Sequence, residues 1–272
     1  MKDIRCGWTP PTLEQKYRAA LHAHPEAGSS VLAKIKAAPT SSNLALTCDL
    51  DQGNLGSCQS NGPAQIVYMA MMKLGGVAFI LARLWLYRCI RYIEGTLNQD
   101  SGGSVGDAFI ILAKKGIPSE TIWPYDISRF KDDPGPSVDR FAYDSRGNIG
   151  INYRPISSTG ETLLTDIEKA CTAGYGITFG CAVSNDFCST QPNGTVQGPH
   201  SNSEVAGGHC MTVVGHDRLY RRLLVKNSWG RKWGDPTAGP GCFWMDYAWF
   251  VDPNYGASDI WIVTAVPGGI AQ

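Results

Sequence analysis

The apolar pattern of the chain changes character near residue 149, and this change limits the folds that the chain can adopt. Before this point, apolar residues recur at three- and four-residue intervals, which is the spacing of helices. After it, short runs rich in β-branched and aromatic residues lie between turn-forming residues, which is typical of strands. Helices followed by strands predict an α+β protein with two segregated halves, and a cleft between the halves is a favoured place for a site.

Glycines and turn residues set the bounds of the predicted elements. We predict helices over residues 13–23, 64–74, 79–93, 105–115 and 162–172. We predict strands over residues 149–153, 176–182, 211–217, 223–227, 242–245 and 260–266. Residues 117–125 are expected to be irregular, and residues 126–148, which are polar and contain Pro134-Gly135-Pro136, are the best candidate for a connection between the lobes.

The predicted organisation has three parts: an N-terminal arm over residues 1–45, a mainly helical lobe over residues 46–148 and a β-rich lobe over residues 149–272. The arm has weak periodicity and several prolines. We expect it to be either a surface arm or a segment that lies across the body of the protein.

The charge of the chain gives no sign of a polyanionic partner. Lys and Arg together number 24, as do Asp and Glu, so nucleic acid is not an expected partner. Charged residues interrupt the most apolar region, residues 66–90, so no membrane-spanning helix is predicted. The first residues lack the apolar segment of a signal peptide, which leaves a cytoplasmic origin or export by another route. The pattern does not indicate an oligomeric state.

A thiol follows a run of small and turn-forming residues, Gln52-Gly53-Asn54-Leu55-Gly56-Ser57-Cys58, and opens a long apolar segment. If a helix begins at Cys58, the N–H groups and dipole of its first turn favour the thiolate. The Gln52 amide is then a candidate donor to an oxyanion. A buried structural cysteine explains this stretch equally well.

The second half supplies a base and a residue to orient it. Gly207-Gly208-His209 stands at the entrance of a predicted strand, and two glycines allow close approach of another backbone beside the imidazole. Asn227 ends a later strand, and its side-chain oxygen can fix one imidazole nitrogen while the other faces a thiol. Trp229 is expected to shield this hydrogen bond from water. A structural histidine at position 209 is the alternative.

The nine cysteines do not show the spacing of a metal site. Cys181 and Cys188 with His200 and His209 lack the tight CxxC pairs of zinc modules. No metal and no cofactor are therefore predicted.

Four segments in this order resemble the papain family of cysteine peptidases, in its bacterial and viral branches. They are QGNLGSC (52–58), SGGS (101–104), GGHCMTVVGHD (207–217) and VKNSWGRKWG (225–234). The resemblance implies a papain-like two-lobe fold, with a helical N-terminal lobe, a β-barrel-like C-terminal lobe and the active site in the cleft between them. It also implies catalytic roles for Cys58, His209, Asn227 and Gln52. The substrate-binding residues that we predict are Gly102, Gly103, Gly208, Cys210 and Trp229.

The chain departs from the family pattern around the nucleophile. Leu55 replaces a cysteine that forms a disulfide in the family, and Gln59 replaces a tryptophan. Gly62-Pro63 falls in the second turn of the expected helix, where proline removes a backbone hydrogen bond and can kink the helix. We interpret these changes as altered local geometry.

The expected function is that of a cysteine endopeptidase acting on peptides or proteins through a thiolate–imidazolium pair and an acyl-enzyme. A thiol acyltransferase, deamidase or isopeptidase of narrow specificity is the alternative with the same chemistry. A catalytically inactive papain-like binding protein is the alternative from another class. The arm over residues 1–45 is expected to be a pro-segment or plug of the site, or else a packed extension.

Overall fold

A computed structural model describes residues 6–22, 41–43, 47–73, 78–145, 151–189 and 204–265 of the 272-residue chain. Its helices are α1 (Leu13–His22), α2 (Cys58–Lys73), α3 (Arg83–Ile93), α4 (Val105–Lys115), α5 (Pro136–Ser145), α6 (Gly160–Thr172), α7 (Asn185–Ser189) and α8 (Tyr247–Phe250). Its strands are β1 (Ser41–Asn43), β2 (Ile151–Pro155), β3 (Ile177–Ser184), β4 (Val205–Asp217), β5 (Arg222–Lys226), β6 (Cys242–Asp246) and β7 (Ser258–Ala265).

The strands form an antiparallel sheet in the order β2-β7-β3-β4-β5-β6, with β1 paired to β4. Long β4 lies at its centre and pairs with both β3 and β5. Apolar side chains of this sheet pack with α6 and α8 into one core, which includes Phe179, Val213, Val225, Phe243 and Phe250. This core belongs to the β-rich lobe.

A second core lies among the helices of the first half. It is built around buried side chains of α2, α3 and α4, including Ile66, Trp85, Leu86, Ile90 and Phe109. Separate helical and β cores confirm the predicted α+β class and the two-lobe arrangement. In the described part of the chain, every helix is too short or too polar to cross a membrane.

Helix α2 carries the thiol at its first residue and packs against both lobes. It contacts α3 and α4 on one side and β3, β4 and β7 on the other. A Cβ atom at Gly62 would lie 2.4 Å from Thr178 Oγ1 and 2.7 Å from Cys210 Sγ, so only glycine allows this close approach. Pro63 does not end the helix, which begins at Cys58 and not at the predicted residue 64.

No helix was predicted within residues 126–148, the candidate connection between the lobes, but α5 occupies Pro136–Ser145. Pro136 stands at the first helical position, where its missing N–H is not needed. Val138 and Ala142 are buried and join the core of the helical lobe. The Pro-Gly-Pro sequence therefore begins a helix.

Strand β4 begins at Val205, earlier than the predicted residue 211. His209 consequently lies inside the strand and pairs with Cys181 of β3, and not at the entrance. The Gly207-Gly208 pair was predicted to stand at the entrance of the strand. Both glycines are part of the ladder, and the absence of side chains there makes room for another segment of the chain.

Helix α1 agrees with the helix predicted over residues 13–23, and it packs on α4. A Cβ atom at Gly106 would lie 3.0 Å from the Ala19 side chain, which shows how close the two helices come. Gln15 donates to Glu94 and Asp107, and Arg18 forms an ion pair with the fully buried Asp107 carboxylate. The described beginning of the arm is therefore packed on the helical lobe.

Candidate active site

The loop before α2 is held in place by hydrogen bonds to the helical lobe. The Gly56 N–H donates to the Asp100 carboxylate at 3.0 Å, and Asp100 also accepts from the Tyr87 hydroxyl at 2.6 Å. The Ser57 and Tyr125 hydroxyls are 2.5 Å apart. This loop delivers Cys58, which is fully buried, to the N-terminus of α2.

Gln52 is also fully buried, and its amide is oriented at both ends. Its Nε2 donates to the Leu55 carbonyl at 2.9 Å. Its Oε1 accepts a hydrogen bond from the Ser228 hydroxyl at 2.6 Å, and its backbone N–H donates to the Ser228 carbonyl at 2.8 Å. Ser228 on the β-rich lobe thus fixes the amide that the sequence suggests as oxyanion donor.

His209 and Asn227 are joined by a hydrogen bond. Imidazole Nε2 lies 2.8 Å from Asn227 Oδ1, and both side chains are buried. Trp229 covers the pair, with its ring centroid 4.6 Å from that of the imidazole. Among the described residues, His209 Nδ1 has no hydrogen-bond partner. The arrangement leaves Nδ1 as the nitrogen available for proton transfer.

Burial disfavours the charged forms of the thiol and the imidazole in this arrangement. It raises the pKa of Cys58 to about 11, although nearby backbone N–H groups, including those of Gly7 and Trp8, act in the opposite direction. It also lowers the pKa of His209 to about 4, against the effect of the Asn227 hydrogen bond. Under the cleft segment, burial therefore acts against ionisation of both groups.

Residues 6–9, called the cleft segment below, cover the site and lie beside Gly103 like an added parallel strand. The Gly103 N–H donates to the Gly7 carbonyl at 2.8 Å. The Gly103 carbonyl accepts from the Thr9 N–H at 3.1 Å. The backbone edge at Gly102-Gly103, predicted to bind substrate, is thus occupied by the chain itself.

The other side of the cleft segment touches the β-rich lobe. The Trp8 N–H donates to the Gly208 carbonyl at 3.0 Å, and a Cβ atom at Gly208 would lie 2.1 Å from the Trp8 carbonyl oxygen.

The cleft segment also lies close to glycines of the helical lobe. A Cβ atom at Gly7 would lie 1.9 Å from the Gly56 carbonyl oxygen. A Cβ atom at Gly102, whose φ is 75°, would likewise collide with the Gly7 carbonyl oxygen. Glycines on both sides therefore make the fit possible.

The Trp8 side chain fills a slot between the lobes and is 6% exposed. A Cβ atom at Gly180 would lie 2.0 Å from the indole, so this glycine forms one wall. Indole Nε1 donates to Asp259 Oδ2 at 3.2 Å. Cys210, predicted to line a substrate pocket, pairs with Gly180 across β3 and β4, and its thiol lies 3.3 Å from Thr178 Oγ1.

Gln59, where the family has tryptophan, is fully buried beside the thiol. Its Oε1 lies 3.7 Å from Cys58 Sγ. Its Nε2 has no hydrogen-bond partner in the described part of the chain. The substitution therefore puts an amide next to the Cys58 thiol.

Ser228, Trp8 and Asp259 were not predicted from the sequence. Ser228 stood in a quoted motif, next to Asn227, and that adjacency was a usable signal. Trp8 and Asp259 carried no local signal, because they meet across 251 positions of sequence. The described residues contain no group of three or more His, Cys, Asp or Glu that fits a metal. The Cys188 side chain and His200 lie outside the described residues.

Comparison with protein families matches residues 39–240 to the papain family of cysteine proteases. A peptidase C1-like protein of Acanthamoeba polyphaga mimivirus is 32% identical over 225 residues, covering 80% of this chain and 70% of the viral protein. Cathepsin L1 of Drosophila melanogaster is 24% identical over 195 residues, covering 70% of this chain and 49% of the relative.

Solved structures share the fold. Xylellain, a cysteine protease from Xylella fastidiosa, aligns with a TM-score of 0.79 and 25% identity, covering 97% of both chains. Digestive procathepsin L 3 of the Tenebrio molitor larval midgut aligns with a TM-score of 0.62 and 19% identity, covering 96% of this chain and 83% of that one. The family match, the related sequences and the solved structures are thus consistent with one another.

Proposed function

Since this cysteine peptidase belongs to the papain family, we propose that it is an endopeptidase that works through an acyl-enzyme at Cys58. The observation that carries the proposal is the hydrogen bond of 2.8 Å between His209 and Asn227, in a site where Cys58 begins a helix and Gln52 is fixed nearby. These residues supply a nucleophile, a base, an orienting group and an oxyanion donor.

In the proposed reaction, the Cys58 thiol gives its proton to His209 and the thiolate attacks a peptide carbonyl carbon. The resulting oxyanion accepts hydrogen bonds from Gln52 and the backbone N–H of Cys58. Imidazolium His209 then protonates the leaving amine as the C–N bond breaks. Water, activated by neutral His209, attacks the acyl-enzyme, and the proton returns to the sulfur as the acid leaves.

We propose in addition that the cleft segment keeps this site closed. Its main chain occupies the Gly103 edge on which an extended peptide would pair. The Gly7 carbonyl oxygen bonds to the Gly103 N–H, which directs it to the binding edge and not to the proposed oxyanion donors. This orientation explains how the segment occupies the cleft without being a substrate.

Peptide hydrolysis by an opened chain tests the proposed reaction. Gly7→Ala places a Cβ atom against the Gly56 carbonyl and should expel the cleft segment without altering the catalytic residues. In this background, fluorogenic peptides should be cleaved, and Gln52→Ala should reduce kcat/KM about a hundredfold or more. Cys58→Ala should abolish turnover, and full activity of that variant would contradict the mechanism. Transfer of the acyl group to added amines in preference to water would favour the acyltransferase alternative.

Comparison of Gly7→Ala with the unaltered chain tests closure. We expect peptide hydrolysis to rise about tenfold or more if the closed state outnumbers the open one by that ratio. Leu13→Ala is the matched control, because this side chain in the arm is exposed. Equal activity of the unaltered chain and Gly7→Ala would reject closure.

A further inference from the structure

Gln59 lies beside the Cys58 sulfur, and the proposed reaction does not use it. Its side chain is fully buried in the first turn of α2. The Cys58 thiol donates to Gln59 Oε1 with 3.7 Å between sulfur and oxygen, a long hydrogen bond of the weak kind that thiols form. Nδ1 of His209, the proposed base, has no hydrogen-bond partner among the described residues. In the covered chain, the thiol proton is therefore held by Gln59 and not by His209.

The other end of the Gln59 amide lacks a partner. Its Nε2 is buried and finds no acceptor in the described part of the chain. A buried N–H group without an acceptor costs free energy, so it calls for an explanation in the chemistry of the site. A glutamine amide carries a donor at one end and an acceptor at the other, and a half-turn about the Cγ–Cδ bond exchanges them. This half-turn would bring Nε2 to the position from which Oε1 faces the sulfur.

Deprotonation of Cys58 reverses what the sulfur needs from Gln59. A thiolate has no proton to donate, so Oε1 would face it as one negative atom faces another. Nε2 in the same position would donate to the negative sulfur, and hydrogen bonds to an ionised group are about twice as strong as neutral ones. The half-turn gives up only the weak bond between the thiol and Oε1. The amide therefore favours the thiolate overall.

The other titratable groups that face the thiol do not supply this stabilisation. Cys181 of β3 and Cys210 of β4 interact electrostatically with Cys58. Burial raises the pKa of both thiols well above the ordinary value, so neither brings a charge to the sulfur near neutral pH. His209 of β4 is the cation of the pair once it has taken the proton. A donor to the thiolate besides His209 must therefore be an uncharged group.

Backbone N–H groups near the sulfur fall into two sets. Those of Gly7 and Trp8 belong to the cleft segment, so they leave when it is displaced. Those of Gln59 and Cys210 belong to the body of the enzyme and remain. Opening the cleft thus removes two donors that favour the thiolate when the thiolate is needed. The Gln59 side chain stays beside the sulfur, because it belongs to α2.

From this geometry we infer that Gln59 is a further catalytic residue, which accepts from the Cys58 thiol in the covered chain and donates to the Cys58 thiolate in the opened one. The inference rests on the proposed peptidase function and adds a residue to its machinery. The proton passes from Cys58 Sγ to His209 Nδ1, and Gln59 neither gains nor loses one. The tryptophan that the family has at this position cannot make this exchange, because an indole N–H only donates.

The pH dependence of Cys58 alkylation tests this role in the full chain opened by Gly7→Ala. Iodoacetamide is the probe, and peptide mapping identifies the labelled residue. Gln59→Leu keeps a branched side chain of similar size but removes both donor and acceptor. Loss of a group that stabilises the thiolate raises the pKa of the thiol. The acidic limb of the profile should therefore move to higher pH by about one unit, which is an about tenfold lower rate below the midpoint.

Two further variants separate this effect from a loss of packing in α2. Gln59→Glu keeps the shape but offers only acceptors once ionised, so its acidic limb should move at least as far as that of Gln59→Leu. Gln65→Leu is the matched control, since Gln65 is also buried in α2 and is hydrogen-bonded to Cys48. It should leave the acidic limb in place.

Nuclear magnetic resonance gives a measure that needs no change at Gln59. In Gly7→Ala, the side-chain amide signals of Gln59 should shift with the same midpoint as the ultraviolet absorbance of the thiolate. Adding Cys58→Ala should remove this shift. This measurement decides the question even when a Gln59 variant fails to fold, and amide signals that ignore the thiolate would overturn the inference.

The outcomes separate this inference from the proposed function. An acidic limb that stays in place in Gln59→Leu, or that moves to lower pH, overturns the role of Gln59 as a donor and leaves peptide hydrolysis by the opened chain untouched. If Gly7→Ala cleaves no peptide, the peptidase proposal fails. The thiolate absorbance of Gly7→Ala, with and without Gln59→Leu, then still decides whether Gln59 stabilises the anion.

Discussion

At the scale of single residues, the site depends on a contact that spans the two lobes. The Ser228 hydroxyl, next to Asn227 in sequence, holds Oε1 of Gln52 at 2.6 Å. Without this donor, the buried amide oxygen would lose a hydrogen bond and the amide would be held less firmly in the position needed for an oxyanion. Ser228 is therefore a positioning residue that acts through Gln52.

Ser228→Ala tests this role in the Gly7→Ala background. We expect kcat/KM to fall on the order of tenfold, less than the loss from Gln52→Ala, because the amide remains but is less well oriented. In a double-mutant cycle, Ser228→Ala should add little once Gln52 is alanine. Additive losses would show that Ser228 acts on stability or on another step.

At the scale of elements, α2 carries the Cys58 thiol and contacts both lobes, and Gly62 lies in close contact with the β-rich lobe. A Cβ atom there would lie 2.4 Å from Thr178 Oγ1. Alanine in place of glycine stabilises most helix interiors by about 1 kcal/mol. Here the clash should reverse the sign and push α2 away from β3 and β4.

We expect Gly62→Ala to lower the free energy of unfolding by about 1–3 kcal/mol, the usual cost of overpacking. Thermal or denaturant unfolding measures this change. Thr178→Ala and Cys210→Ala, combined with Gly62→Ala, remove the two atoms that clash and should restore part of the loss. A stabilised Gly62→Ala protein would contradict the described packing.

The docking of α1 should depend on pH through Glu94. Its side chain faces Gln15 of α1 and Asp107 of α4, with Arg18 on the other side of Asp107. Burial and the neighbouring Asp107 carboxyl raise the pKa of Glu94 to about 8 while α1 is docked. Undocking exposes the carboxyl and lets its pKa fall. The docked state therefore binds a proton that the undocked state releases, and docking weakens as pH rises from the ordinary pKa of 4.5 to the raised pKa of about 8.

Peptide hydrolysis by the unaltered chain, divided by that of Gly7→Ala at the same pH, measures this effect. The ratio should rise with pH up to about 8 and level off above it, because Glu94 is then ionised in both states. Glu94→Gln keeps a neutral side chain and should flatten the profile. A ratio that is constant or falls with pH would refute the link.

At the scale of the whole molecule, local patterns predicted the lobes and long-range contacts completed the site. Helix α4 was predicted with its observed bounds, because Ser104 caps its start and Gly116 follows its end. Helix α5 was missed, because proline indicates either a loop or a first helical turn and only packing decides. The order of the quoted motifs along the chain predicted the site residues Gln52, Cys58, His209 and Asn227. The position of Trp8 followed from no local pattern, since its partners lie about a hundred to two hundred and fifty positions away.

The central claim is that Cys58 is a nucleophile activated by His209 and covered by residues 6–9. The most direct test is the rate at which an electrophilic epoxide labels Cys58, followed by peptide mapping in mass spectrometry. We expect selective labelling of Cys58 in Gly7→Ala, labelling slower by about tenfold or more in the unaltered chain, and loss of labelling when His209→Ala is added to Gly7→Ala. Equal rates in the unaltered chain and Gly7→Ala, or labelling that survives His209→Ala, would contradict the account.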